Sequence, residues 1–129
     1  MLGIVGELLQ EAWAVQQTGL ALLEVADALN EHQQNTVEKI IEAAERFGSL
    51  VTEMTDFLES GSPEILNVSL EMRTPITAVR GFAELLLMGI TGPLTPFQTE
   101  YVMFIEEAAN KLGVLVEELF NSVPPWSDG

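Results

Sequence analysis

The chain has 129 residues, 47% of them hydrophobic, enough for one domain with a real core and too few to suggest several. Twenty acids against five bases leave a formal charge of −15, so nucleic acid and anionic lipid are not expected as partners. Cysteine is absent and there is one histidine, so disulfides and thiolate ligands are excluded, and neither a zinc site nor any other metal or cofactor is expected.

The N-terminus, Met1-Leu-Gly-Ile-Val-Gly-Glu7, has no positive stretch and meets an acid at once, unlike a signal peptide. No run approaches the roughly 18 uninterrupted apolar residues of a membrane span. A soluble, cytoplasmic protein without a membrane partner is the expectation. The acids are most simply the solvated faces of its helices.

Four segments carry helical periodicity. In the first, Met1, Val5, Leu8, Ala12, Val15, Gly19, Leu22, Ala26 and Leu29 recur at spacings of four and three, a heptad seam. The polar stretch Asn30-Glu31-His32-Gln33-Gln34-Asn35 then reads as a connection, with His32 an exposed loop residue. The second seam is Val37, Ile40, Ala44, Phe47, Val51, Met54 and Leu58. Gly61-Ser62-Pro63 breaks the pattern, and Ser62 and Pro63 suit the cap and first position of a new helix. The third seam, Ile65, Val68, Met72, Pro75, Val79, Phe82 and Leu86, ends near Gly89. The fourth opens on a capping box, Thr95-Pro96-Phe97-Gln98, and continues through Tyr101, Ile105, Ala108, Leu112, Leu115 and Leu119 until Pro124-Pro125 stops it. Short connections make successive helices antiparallel neighbours. The fold expected is all-α: two antiparallel hairpins, residues 1–60 and 63–123, with a tail at 124–129.

The two hairpins share more than a pattern. A shift of 65 residues lays Val37–Met54 over Val102–Leu119 with nine identities in 18 positions, among them Gly48/Gly113. Glycine within a helix costs about 1 kcal/mol relative to alanine, so its recurrence is informative. Helices one and three match poorly at that shift. Residues 1–60 read as a divergent repeat, which leaves two ways to complete a four-helix bundle. One chain closes it as a pseudo-dimer, or two chains pair as a homodimer.

The most specific segment is Asn67-Val-Ser-Leu70-Glu-Met-Arg73-Thr-Pro75-Ile-Thr-Ala-Val-Arg80-Gly-Phe-Ala-Glu-Leu-Leu86. It resembles the H-box of histidine kinases, N-x-S-H-E-[LM]-R-T-P-[LI]-T-A-[IV]-x-G-[FY]-x-E-[LM]-L. Gly92-Pro-Leu-Thr-Pro-x-Gln98-x-Glu-Tyr101 and Ile105-Glu-Glu107 are similar to the turn and second helix of the same dimerisation and phosphoacceptor domain. The resemblance spans about residues 63–123.

It implies a hairpin that pairs with another to make a four-helix bundle and presents a histidine outward for transfer of a phosphoryl group to a response regulator. Leu70 stands where that histidine belongs. A leucine offers no nucleophile, and neither an ATP-binding domain nor a Gly-rich phosphate cradle is recognisable. Autokinase activity is therefore not expected, and the chain reads as a pseudokinase. His32 lacks the Arg-Thr-Pro context and does not replace the acceptor.

The rest of the frame remains. Val68 and Met72 belong to the buried seam, which places Leu70 on the opposite face. Glu71 is where the family has its base, and Pro75 is expected to kink the helix. Glu71-Met-Arg-Thr74 matches the E-x-x-[TN] element that the resemblance credits with response-regulator dephosphorylation, which makes Glu71 and Thr74 the catalytic candidates. In a bland reading, the Thr74 hydroxyl only bonds the backbone at the kink. Leu66, Leu70, Arg73, Thr74 and Arg80 are the candidate partner-binding residues. The function expected is non-catalytic binding of a response regulator receiver domain or of a histidine kinase. The alternatives are an aspartyl-phosphate phosphatase acting through Thr74 and a plain oligomerisation scaffold.

Overall fold

A computed structural model describes residues 2–24 and 29–122. They form five helices: α1 (Leu2–Glu24), α2 (Glu31–Ser60), α3 (Ile65–Glu71), α4 (Arg73–Leu87) and α5 (Pro96–Ser122). No strand occurs among the described residues. The seam positions Met1 and Ala26, and the tail with its Pro124-Pro125 stop, lie outside them.

The caps explain where helices begin and end. Asn30 Oδ1 accepts from the Gln33 amide at 2.8 Å, and Gln33 Oε1 accepts from the Asn30 amide at 2.9 Å, a reciprocal capping box. Helix α2 therefore starts at Glu31, and His32 lies exposed in its first turn and not in a loop. At the other end Gly61 adopts φ 71°, the left-handed conformation that glycine tolerates best, and its amide reaches the Phe57 carbonyl.

Ser62 acts two residues earlier than a helix cap at Ile65 would require. Its Oγ accepts from the Glu64 amide at 3.2 Å, and a tight turn, Ile65 N to Ser62 O at 3.3 Å, precedes regular α bonding. Thr95 behaves as its sequence suggests. Its Oγ1 accepts from the Gln98 amide at 3.1 Å, Gln98 Oε1 accepts from its amide at 2.9 Å, and Pro96 takes the first helical position.

The helices form an antiparallel ring. Helix α1 packs beside α2 and α5, and α4 packs beside the same two, so α1 and α4 face each other across the bundle. Its interior is built from the seams of both helices of each hairpin. Leu8, Phe47, Met54, Met72, Leu112 and Leu119 fill the end nearest the α2–α3 turn. Val15, Leu22, Val37, Ile40, Val79, Leu86, Val102 and Ile105 fill the other. Emptying such a site of a large side chain costs roughly 3–5 kcal/mol for a phenylalanine. Leu58 and Phe82 are half-buried at its edge, and Ile41, Leu50, Ile76 and Ala83 join the core beside the seam positions.

The buried positions fall into two matched registers. Helix α2 maps onto α5 at an offset of 65, with Gln33/Gln98, Val37/Val102, Phe47/Leu112, Val51/Val116 and Met54/Leu119 all buried. The two capping boxes obey the same offset. Helix α1 maps onto α3 and α4 together at 64: Leu8/Met72, Ala12/Ile76, Val15/Val79, Gly19/Ala83 and Leu22/Leu86 are all buried. The second hairpin's connection is one residue longer, which is why these helices align poorly at 65. The turns of the two hairpins meet at one end, where Asn30 Nδ2 donates to the Thr91 carbonyl at 2.7 Å and Gln33 Nε2 to the Pro93 carbonyl at 3.0 Å.

Candidate functional site

Leu70 sits in the last turn of α3. Val68 and Met72 on either side are buried, so helical geometry turns residue 70 outward. It is 60% exposed, as much as Trp13 on α1. Leu66, one turn earlier, is 38% exposed on the same side.

The helix is interrupted at Met72, closer to Leu70 than the position of Pro75 suggests. Pro75 has no amide to give the Glu71 carbonyl, and its ring crowds that carbonyl. The interruption therefore falls at the residue after Glu71, while Met72 keeps helical angles (φ −63°, ψ −24°). Leu70 and Glu71 close α3; Arg73, Thr74 and Pro75 open α4.

The charged neighbours are held from both sides. Glu71 Oε2 lies 3.5 Å from Arg46 Nη2 of α2, and Arg73 Nη2 lies 2.8 Å from Glu117 Oε1 of α5. The Arg73 guanidinium also stands 4.8 Å from the Phe120 ring centroid, a cation–π distance. Arg80 lies two turns along, lining the same α4–α5 groove as Arg73, with Thr77 and Asn110. That groove has a volume of about 470 Å³, and Gly113 forms part of its floor. Thr74 and Pro75 line a separate groove, between α2 and α4, together with Arg46, Lys39 and Phe82.

The proposed partner-binding set is thus divided. Arg73 and Arg80 share one groove, Thr74 opens on the other, and Leu66 and Leu70 lie on neither wall. Four of the five cations, Lys39, Arg46, Arg73 and Arg80, line these two grooves flanking α4. Lys39 and Arg46 come from the other hairpin, and nothing in the H-box pattern points to them.

Thr74 and Thr77 of α4 depart from the other helical threonines. Thr18, Thr36, Thr52, Thr55 and Thr99 each donate to the carbonyl four residues back, at 2.7–3.2 Å. The exposed Thr74 hydroxyl makes no such bond, contrary to the bland reading of its role. Ser69, beside Leu70, is fully buried, and its Oγ has no hydrogen-bond partner among the described residues. No group of acids and histidine able to hold a metal ion occurs among the described residues.

The all-α bundle thus presents the H-box frame around an outward position. Residues 65–122 match the His Kinase A (phospho-acceptor) domain. Two sensor histidine kinases are similar over the region, GlrK of Escherichia coli (strain K12) and QseE of Escherichia coli O157:H7. Each is 35% identical over 72 residues, which cover 55% of this chain and 15% of the kinase. The chain therefore spans a small part of the length of these relatives. No solved structure gives a significant match. Among the described residues, no helix is long and apolar enough to cross a membrane.

Proposed function

We propose that this chain is a non-phosphorylated docking module of two-component signalling that binds a response regulator receiver domain through the surface around Leu70. The observation that carries the reading is the exposure of Leu70 at the position where the H-box frame presents its acceptor. A hydrocarbon side chain there can form a contact and cannot form a phosphoramidate, so recognition outlasts chemistry. The cations flanking α4 suit an acidic partner surface, in a chain whose remaining surface is strongly acidic.

Titration calorimetry against the receiver domains of its own organism tests this. At least one should bind, and Leu70→Asp should weaken that binding tenfold or more. Uniform absence of binding, or binding indifferent to Leu70→Asp, rejects the proposal.

The free hydroxyl of Thr74 favours a second reading, an aspartyl-phosphate phosphatase. Thr74 would orient a water for in-line attack on the regulator's acyl phosphate, releasing inorganic phosphate and the free aspartate. The chain would then speed the loss of label from a phosphorylated receiver domain, and Thr74→Ala would return the decay to its spontaneous rate. An unchanged decay with the parent chain removes this reading.

A further inference from the structure

An amphipathic helical hairpin leaves one apolar face open, and in this molecule each hairpin covers the other's. We infer that residues 2–60 are an internal copy of the second hairpin, so that the chain closes its bundle alone as a monomer and offers one docking face where two equivalent ones would otherwise stand. The single-face part of this inference rests on the docking reading above; the internal pairing does not.

Three independent relationships support it. The buried seams coincide at offsets of 65 and 64, and the two capping boxes at 65. The basic halves of the cross-hairpin ion pairs also correspond, because Arg46 and Lys111 are offset mates, while the acids differ: the mate of Glu71 at 64 is Glu7, one turn before Glu11. Arg46 reaches Glu71 at 3.5 Å, and Lys111 reaches Glu11 at 3.8 Å, each across to the opposite hairpin. Finally the grooves are paired. The α4–α5 groove with Gly113 in its floor has its counterpart in an α1–α2 groove floored by Gly48, each about 470 Å³.

The walls of these two grooves have diverged. At the offset of 64, Arg73 corresponds to Leu9, Thr77 to Trp13 and Arg80 to Gln16, and the place of Leu70 is taken by Gly6. The α1–α2 groove is lined by no charged residue, and Trp13 stands 60% exposed on it. A partner selected by the cations and the leucine of the α4 side therefore finds them once per chain.

Introduced thiols test the pairing cleanly, because the chain has no cysteine of its own. Glu11→Cys with Lys111→Cys places two across the α1–α5 boundary, away from Leu70. A short bis-maleimide should bridge them within one chain at every protein concentration, and light scattering of the parent chain should give 14.1 kDa. Twice that mass, a cross-link between chains, or no cross-link within one would overturn the internal pairing. Titration with a receiver domain that binds should then saturate at one per chain; two per chain overturns the single face. If no receiver domain binds, the docking reading fails, and mass and cross-link still decide the pairing.

Discussion

Arg46 Nη2 lies 3.5 Å from Glu71 Oε2, so the residue that follows Leu70 is met by a side chain from the opposite hairpin. Both groups are more than half exposed, which limits such a pair to less than about 1 kcal/mol. Arg46→Ala should change stability by no more than that in urea unfolding. A loss of several kcal/mol would mean that the pair holds the hairpins together.

Salt should act in the opposite direction to the loss of a bridge. The ion pairs at Arg46, Arg73 and Lys111 are exposed at their basic ends, whereas 20 acids against five bases repel one another over the whole surface. The screening length falls from roughly 30 Å at 0.01 M to roughly 3 Å at 1 M salt. Relief of repulsion outweighs weakened pairs, so the melting temperature should rise with sodium chloride. A fall would show that the bridges dominate.

Glycines at three helical positions should respond with different signs. A Cβ on Gly19 would lie 2.7 Å from Ile41 Cγ1, whereas Gly48 and Gly113 have nothing within 4 Å. Alanine gains about 1 kcal/mol of helix propensity at each. At Gly19, overpacking of roughly 1–3 kcal/mol opposes it. Gly48→Ala and Gly113→Ala should therefore stabilise by about 1 kcal/mol each, and Gly19→Ala should destabilise. Denaturant midpoints of the three variants check this.

Ser69 offers a gain by removal. Its Oγ is buried without a partner, a state that costs about 1–3 kcal/mol. Ser69→Ala should raise stability by about 1 kcal/mol or more, read as a higher denaturant midpoint. A loss instead would reveal a bound water that satisfies the hydroxyl.

The two capping boxes differ in what else they hold. Asn30 caps α2 and also donates to Thr91 of the other turn at 2.7 Å, whereas Thr95 Oγ1 bonds its own helix. Loss of a cap costs about 1 kcal/mol. Asn30→Ala should cost more than Thr95→Ala, and equal midpoint shifts would show that the tie between turns adds nothing.

Much of this arrangement was legible because a helix converts sequence spacing directly into burial. The seams through Val37–Met54 and Ile65–Leu86, the outward Leu70 and the Thr95–Gln98 cap all follow from that conversion. The place of His32 inside α2 is also legible, since Asn30 and Gln33 stand at capping-box spacing, although the polar run around it resembles a loop. The match between α1 and α4 was hidden by one additional residue in the second turn, which shifts every pair. Arg46, Glu117 and Phe120 were not legible, since which side chains meet across helices depends on how the bundle packs. The interruption at Met72 follows from Pro75, because the carbonyl that proline crowds lies four residues back.

The ring in which α1–α2 closes over α4–α5 also changes how the protein can vary. In an assembly of two identical hairpins every substitution arrives twice, once on each side, and must be tolerated in both places. Here Leu9 and Arg73, or Trp13 and Thr77, occupy matching places yet have separate codons. Each side can be altered without altering the other, which is the freedom a one-sided surface needs in order to arise.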